Sequence, residues 1–292
     1  MRFITLDFDF IVLRSCNGLL LCRLAFCSDS YFIYNPITRD FTNLNLGTHP
    51  LSRQSYIIDH YLAFDPSVSS PFYKVVSLAV SRDSPLDWVF HVYTIFQPHS
   101  PRIGPPVSVS IPFPLAWESD SDRGVYCNGA IHWCNRGDFS VYFDVDAQCL
   151  KYYSMPLSNS DEWLKTRIYY FGESGGHLHL ILPEPEPLKE NQKPSFYDIF
   201  ELKEDYSGWL LTHRIDMKSI RLQFTHMRSC FNYYIFHKNK SSISVLIVAR
   251  EGAIINDPVD NTSTKLCDFE IGTSIWIRLA QGRVVPHFDI LC

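Results

Sequence analysis

The residues best suited to chemistry are thiol and imidazole side chains that fall close together in two neighbouring segments. Cys127, His132 and Cys134 occupy the first segment, and His177 and His179 occupy the second. Zinc uses ligands of these types. However, His132 and Cys134 share one face of a single predicted strand, and His132 and His179 hold equivalent places in two repeats, an arrangement more typical of structural histidines. We therefore predict no metal site and no cofactor.

Other catalytic arrangements are equally weak in this sequence. A cysteine–histidine nucleophile would need a third group to orient the base, and no such group can be identified. Paired acids at Asp120 and Asp122, and at Glu184 and Glu186, could serve acid–base chemistry, but neighbouring serines and prolines indicate solvated loops. The glycine-rich motifs that bind phosphates are missing from the sequence. We predict that the chain is not an enzyme.

Two stretches of the chain are nearly alike. Residues 15–22 are followed by an apolar segment at 31–36, and residues 126–134 are followed by one at 141–144. Both first segments carry Asn-Gly between apolar runs, which is a strong signal for a tight β-hairpin. The later segments end in Asn or Asp. A unit repeated in this way indicates a radially repeated β-structure, which favours a binding platform over an enzyme.

A third copy of the unit follows when Gly176 is aligned with Gly129. His179 then falls on His132, and Gly175-Gly176 falls on the Asn-Gly turn. Each copy predicts four antiparallel strands, and roughly 40–50 residues per copy implies about six blades. We predict an all-β, kelch-like β-propeller of about six four-stranded blades, with a large β-sandwich as the alternative.

Short alternating apolar segments recur along the chain, from residues 19–22 to residues 284–291, with turn residues between them. Helical periodicity is hard to find, apart from one turn of helix near 160–165. The final strand at 284–291 is expected to pair near the first blade and close the ring. Four tryptophans within strand patterns are predicted to lie in the core: Trp88, Trp133, Trp209 and Trp276.

The composition restricts the class of partner and the compartment. A formal net charge of −5 provides no basic surplus for nucleic acid or an anionic membrane. None of the nine cysteines forms a C-x-x-C pair, so we expect reduced thiols and a location in the cytoplasm or nucleus. The N-terminus does not resemble a signal peptide, and no apolar run reaches the ~20 residues that span a bilayer.

Several motifs resemble those of the F-box-associated domain of plant F-box proteins. They are Ser-Cys-Asn-Gly-Leu-Leu-Leu-Cys at 15–22, Tyr-Asn-Pro-Ile-Thr-Arg-Asp-Phe at 34–41, Ala-Phe-Asp-Pro at 63–66 with Tyr-Lys-Val-Val at 73–76, and Asn-Gly-Ala-Ile-His-Trp at 128–133. The similarity runs in the family's order from about Leu6 to the C-terminus. It implies a kelch-like propeller that selects substrates for an SCF-type E3 ubiquitin ligase.

The resemblance also implies an N-terminal F-box, for which residues 1–13 leave no room. We interpret residues 1–13 as the remnant of a linker and residues 14–292 as the propeller domain. The expected partner is an unknown protein substrate, and the Skp adaptor and cullin would be reached only if an F-box were restored upstream. The alternatives are a small-ligand-binding or enzymatic propeller, and a nonfunctional or decoy truncation.

The strand order predicts where a partner binds. Tight turns at residues 17–18, 128–129 and 146–147 should lie on one face, and the longer connections on the opposite one. Variable loops on a rigid scaffold are the usual place for recognition, and aromatic and arginine side chains dominate binding energies. The predicted long connections are 47–53, 117–123, 135–138, 159–165 and 183–194. The predicted binding residues on them are Arg53, Trp117, Arg123, Arg136 and Trp163.

Overall fold

Five antiparallel β-sheets follow one another along the chain and form the blades of a β-propeller. The structure is a computed structural model. The residues it describes are 10–27, 30–44, 46, 55–67, 72–84, 86–96, 102–103, 105, 107–111, 124–135, 137–156, 168–184, 194–225, 232–239, 242–249 and 251–268.

The first two blades differ in how they end. Blade 1 contains β1 (Phe10–Cys16), β2 (Leu19–Leu24), β3 (Tyr31–Tyr34) and β4 (Phe41–Leu44). Blade 2 contains β5 (Ser55–Ala63), β6 (Phe72–Ser81), β7 (Asp87–Phe96), β8 (Arg102–Ile103) and β9 (Val107–Ser110). Both β8 and β9 pair with β7, so two short strands take the place of one fourth strand.

The remaining three blades have four strands each, paired in sequence order. Blade 3 contains β10 (Val125–Cys127), β11 (Ala130–His132), β12 (Phe139–Asp144) and β13 (Cys149–Ser154). Blade 4 contains β14 (Tyr170–Ser174), β15 (His177–Pro183), β16 (Phe196–Leu202) and β17 (Trp209–Asp216). Helix α1 (Met217–Gln223) leads to blade 5, with β18 (Asn232–Asn239), β19 (Ser242–Val248), β20 (Gly252–Asp257) and β21 (Thr262–Asp268).

The all-β propeller with four-stranded antiparallel blades is confirmed, but the prediction of about six blades is wrong. The described residues form five sheets. Blade 2 is longer than the repeat spacing suggested, because it runs from Ser55 to Ser110 with strands of nine and ten residues. The strand predicted at 284–291 lies outside the described residues.

The Asn-Gly repeats form tight β-hairpin turns, as predicted. Asn17 and Gly18 have φ values of 44° and 87°, and Asn128 and Gly129 have values of 47° and 79°. Two consecutive positive φ values define the tight turn that matches the twist of antiparallel strands, and Asn and Gly tolerate them best. Gly176 follows the same pattern between β14 and β15. The alignment of Gly129 with Gly176 is therefore structurally correct.

The first strands of successive blades contact one another: β1 with β5, β5 with β10, β10 with β14, and β14 with β18. They form the inner part of the propeller, and the core fills the spaces between neighbouring blades. Between blades 2 and 3, Trp88, Phe90, Trp133 and Phe143 pack in one buried cluster. The prediction that Trp88 and Trp133 are core residues is confirmed, whereas Trp209 is only partly buried and Trp276 lies outside the described residues.

Helix α1 was not predicted from the sequence. The Asp216 carboxylate accepts a hydrogen bond from the Ser219 backbone N–H at 3.0 Å and so caps the helix. Met217 and Ile220 are buried among residues of blades 4 and 5. The helix predicted near 160–165 lies outside the described residues. No helix in the described ranges is long and apolar enough to span a membrane.

Gly124 occupies a place with no room for a side chain. A Cβ atom there would lie 2.7 Å from Tyr61, 2.8 Å from Ile131 and 2.8 Å from Trp133, all buried side chains. Since overpacking a dense core forces backbone shifts, Gly124→Ala is expected to lower the free energy of unfolding by about 1–3 kcal/mol. Urea denaturation measures this change.

Gly137 provides the control for this prediction. A Cβ atom at Gly137 would meet first Asn135 Nδ2 at 3.0 Å, which donates to the Phe139 carbonyl and would have to shift by only a few tenths of an ångström. Gly137→Ala should therefore lower the urea midpoint less than Gly124→Ala does. Equal effects of the two substitutions would contradict the packing argument.

Candidate binding surface

The antiparallel order places all connections of one kind at the same end of each blade. Turns between first and second strands, and between third and fourth strands, lie on what we call the tight-turn face. Connections between second and third strands, and between blades, lie on the opposite end, which we call the long-loop face. The predicted binding residues Arg53, Trp117, Arg123, Arg136 and Trp163 lie outside the described residues, so their assignment to this face stays a prediction.

Described residues supply exposed apolar side chains on the long-loop face. Phe26 follows β2 and is 91% exposed, Phe139 opens β12 and is 55% exposed, and Leu222 in α1 is 71% exposed. Each lies on or beside a connection between second and third strands or between blades. Ile37 and Val259 are comparably exposed in turns of the tight-turn face, so apolar exposure by itself does not select one face.

A cluster of three tyrosines lies where blades 4 and 5 meet on the long-loop face. The ring centroids of Tyr169 and Tyr197 are 4.7 Å apart, and those of Tyr197 and Tyr233 are 5.3 Å apart. Tyr169 and Tyr233 are 5.8 Å apart with nearly perpendicular rings. Each tyrosine stands at or just before the start of β14, β16 or β18. Three strands from two blades therefore bring these side chains together.

Burial dominates the titration of this cluster. It raises the pKa of Tyr197, and the neighbouring Tyr169 raises it further, whereas the positive charge of Arg221 lowers it. The pKa of Tyr233 is also raised mainly by burial. Tyr197 and Tyr233 therefore keep their protons at neutral pH.

The stem of the connection between β15 and β16 is held by Glu184. Its carboxylate accepts hydrogen bonds from the backbone N–H groups of Ser195 and Phe196, both at 3.2 Å. Glu184 is buried, so the prediction that it is solvated is wrong. The carboxylate satisfies two backbone donors at the start of β16 and fixes the base of the loop. Glu186, Asp120 and Asp122 lie outside the described residues.

On the tight-turn face, the Cys and Asn of each Cys-Asn-Gly repeat hydrogen-bond to one carbonyl of the next blade. We call this pair of hydrogen bonds a clasp. Cys127 Sγ donates to the carbonyl of Gly176 at 3.4 Å, and Asn128 Nδ2 donates to the same carbonyl at 3.0 Å. In blade 1, Cys16 and Asn17 bond the carbonyl of Phe64 at 3.3 Å and 2.7 Å. Each clasp joins the turn of one blade to the first hairpin of the next. Sequence reasoning assigned these cysteines to packing and missed the bonds.

Burial raises the pKa of both Cys16 and Cys127 to about 12, which keeps the thiols protonated and able to donate. The repeated triplet itself was the signal for this clasp. Its partner could not be found from the sequence, because the accepting carbonyl comes from a different blade.

The two histidines at equivalent repeat positions lie in the interior of the protein. His132 and His179 are fully buried on equivalent second strands. His132 Nε2 lies 2.7 Å from the hydroxyl of Tyr206, and the His132 ring stacks on Tyr142 and Tyr206. Burial lowers the pKa of His132 to about 4. Within the described part of the chain, no group of three or more His, Cys, Asp or Glu residues could hold a metal ion.

Among curated sequences, the chain is similar to F-box protein At5g07610 of Arabidopsis thaliana. The two are 28% identical over 293 residues, which covers 90% of this chain and 64% of the relative. The chain thus spans less than two thirds of the relative's length. No family model matches the chain. The propeller fold and this similarity fit a protein-binding domain.

Solved structures share the general architecture only distantly. They include BBS1N in complex with ARL6DN (TM-score 0.38, 10% identity, 84% of this chain and 62% of that one). A mutant of the Synechocystis apocarotenoid oxygenase is similar with a TM-score of 0.44 and 10% identity, over 86% of this chain and 57% of that one. The SapL1 lectin in complex with alpha methyl fucoside is similar with a TM-score of 0.42 and 8% identity, over 90% of this chain and 80% of that one. None of these similarities is close enough to assign a function.

Proposed function

We propose that this chain is the substrate-recognition domain of an F-box protein that acts in an SCF-type E3 ubiquitin ligase. The similarity to an F-box protein over 90% of the chain carries the proposal. In this role the propeller is a non-catalytic, kelch-like adaptor that holds a protein substrate on its long-loop face. The Skp adaptor and cullin would be recruited by an F-box in the same polypeptide.

The usual location of recognition on variable loops supports the choice of face. Phe26, Phe139 and Leu222 offer exposed apolar side chains on or beside connections of this face, and Ile37 and Val259 are comparably exposed on the tight-turn face. The tight-turn face is occupied in part by the Cys-Asn-Gly clasps, which bond blade to blade. The proposed compartment is the cytoplasm or nucleus, where the thiols of buried cysteines such as Cys16, Cys22 and Cys127 stay reduced.

The test is capture of partners by the chain fused to an F-box and expressed in plant cells. Leu222→Asp is expected to reduce recovery of a captured partner at least 10-fold, because it puts a charge into an apolar contact. Quantitative mass spectrometry measures the recovery. A partner that joins the ligase should also become ubiquitylated in the presence of the fusion.

Val259→Asp is the matched control. Val259 is 69% exposed, close to the 71% of Leu222, but it lies in the turn between β20 and β21 on the tight-turn face. This substitution should leave recovery unchanged. If Val259→Asp removes the partner and Leu222→Asp does not, the long-loop face is the wrong face. If no partner is recovered in any form, the proposed function fails.

A further inference from the structure

Each clasp depends on an asparagine that is followed directly by glycine. Asn17-Gly18 and Asn128-Gly129 are the two Asn-Gly dipeptides of the sequence. Asparagine is among the chemically labile residues, and a following glycine, which has no side chain, leaves its own backbone nitrogen accessible to the amide carbon. These dipeptides are therefore the places in the sequence where a side-chain amide converts most readily to a carboxylate.

The structure leaves room for this reaction at both turns. Asn17 and Asn128 are exposed. A Cβ atom placed on Gly18 or on Gly129 would have no heavy atom within 4 Å, apart from those of the residues next to it in the chain. The five-membered ring that joins an asparagine side chain to the next backbone nitrogen therefore meets no obstacle on the glycine side.

The clasp holds the same amide group that would react. Asn17 Nδ2 donates to the carbonyl of Phe64 at 2.7 Å, and Asn128 Nδ2 donates to that of Gly176 at 3.0 Å. Attack on the amide carbon requires the side chain to turn toward the next backbone nitrogen, so this hydrogen bond must break first. The folded chain therefore reacts through local opening of the clasp, which costs less free energy than global unfolding.

A carboxylate does not suit the clasp. The accepting atom is a carbonyl oxygen in both cases, and an ionised carboxylate has no proton to donate to it. An acidic residue also stands next to each acceptor. Asp65 follows Phe64 in the chain, and the Glu173 carboxylate accepts the backbone N–H of Gly176 at 2.8 Å. Conversion of either asparagine to aspartate thus replaces an attraction between two blades by a repulsion.

We propose that Asn17 and Asn128 are sites of spontaneous deamidation, and that the reaction irreversibly opens the clasp between blades 1 and 2 or between blades 3 and 4. Solvent base removes the proton of the glycine backbone N–H, and this nitrogen attacks Cγ of the asparagine. The N–Cγ bond forms, the Cγ–Nδ2 bond breaks, and the amide nitrogen takes up a proton from water and leaves as ammonia. Water then opens the cyclic imide to aspartate or isoaspartate.

Peptide mapping by mass spectrometry follows the reaction in the full chain during incubation at neutral pH. Asn17 and Asn128 should show the mass change from amide to carboxylate, whereas Asn261 should keep its amide. Asn261 is the matched control, because it is exposed in a tight turn with a φ value of 55° but is followed by threonine. The proposal is overturned if neither Asn-Gly site reacts, or if Asn261 reacts as fast as they do.

Cys127→Ala tests whether the clasp controls the rate. The substitution removes the bond from Cys127 Sγ to the Gly176 carbonyl and leaves the clasp of Asn17 unchanged. Conversion of Asn128 should become several-fold faster, since the loss of one hydrogen bond changes an equilibrium constant by about that factor. Conversion of Asn17 in the same molecules should keep its rate. Equal acceleration at both sites would contradict control by the clasp.

Asn17→Asp and Asn128→Asp reproduce the product and test its effect. Each should lower the ratio of folded to unfolded chain about 10-fold in urea denaturation, because a hydrogen bond is lost and a like charge is added. Salt should restore part of this loss, since it screens the repulsion from Asp65 or Glu173. Asn261→Asp is the control and should leave the ratio nearly unchanged.

Asn128→Gly separates the loss of the amide from the gain of charge. It copies the hairpin of blade 4, where Gly175-Gly176 has no side chain at either position. Its stability should lie between those of wild type and Asn128→Asp. If Asn128→Asp does not fold while Asn128→Gly does, the repulsion is supported. If the aspartate variants are as stable as Asn261→Asp, deamidation does not open the clasp and the proposal fails.

Discussion

Replacing Trp133 with alanine is expected to lower the free energy of unfolding by about 3–5 kcal/mol, the range for removal of a buried tryptophan. Trp133 is fully buried between blades 2 and 3. Its ring centroid lies 5.4 Å from those of Trp88 and Tyr61, and its Nε1 donates to the Tyr61 hydroxyl at 3.0 Å. The substitution opens a cavity and removes the hydrogen bond between the two blades.

Urea denaturation followed by circular dichroism measures this loss, with Trp209→Ala as the control. Trp209 lies on the fourth strand of blade 4, is partly exposed and donates to the Ser154 carbonyl at 2.9 Å. Its removal should cost clearly less, because water can fill part of the space. Trp133→Phe should lie between the two, since it keeps a ring but loses the hydrogen bond. A smaller effect at Trp133 than at Trp209 would contradict the position of the core.

The repeat could be predicted from local signals. Asn17 and Asn128, each followed by glycine, define the hairpins because two consecutive positive φ values admit few other residues. The equivalence of His132 and His179 follows from counting residues along a strand, since side chains alternate strictly between its two faces. These signals lie within one hairpin. They therefore predict the structure of a single blade but not the number of blades.

Contacts between blades could not be predicted in the same way. The acceptor of Asn17 is the carbonyl of Phe64, and the acceptor of Asn128 is that of Gly176. Each pair is joined by the twist and spacing of whole sheets, which no local pattern encodes. The tyrosine cluster was missed for the same reason, because Tyr169, Tyr197 and Tyr233 come from three different strands.

Helix α1 was missed although its start carries a signal. Asp216 is followed three residues later by Ser219, and Met217 and Ile220 have the spacing of one helix face. Seven residues are too few for this periodicity to stand out from a strand pattern. The helix forms because tertiary packing against blades 4 and 5 buries its apolar side.

Acid is expected to destabilise the protein well above the pH at which its carboxylates titrate. His60 and His132 are buried, and burial lowers the pKa of each to about 4. In the unfolded chain both should titrate near 6.5. Below pH 6.5 both histidines bind a proton in the unfolded chain but remain neutral in the folded chain. The free energy of unfolding therefore falls as the pH drops from about 6.5 to about 4.

The surroundings of the two imidazoles explain why their charged forms are disfavoured. His60 Nδ1 lies 2.6 Å from Ser77 Oγ, and burial outweighs the opposing effect of Asp59 on its pKa. His132 has the aromatic rings of Tyr142 and Tyr206 stacked beside it. Each histidine should contribute about 3 kcal/mol to the loss, because one pKa unit corresponds to ~1.4 kcal/mol. Glu173 opposes them in part, since burial raises its pKa.

Urea midpoints measured at intervals between pH 7.5 and pH 4.5 test this expectation. The free energy of unfolding should be level above about pH 7 and fall by several kcal/mol toward pH 4.5. His132→Gln and His60→Gln will each lower the free energy of unfolding at neutral pH. Each should also reduce by about half the slope of this free energy against pH. Only the slope reports the titration of the histidine. Retention of the full slope in both variants would show that other groups cause the acid sensitivity.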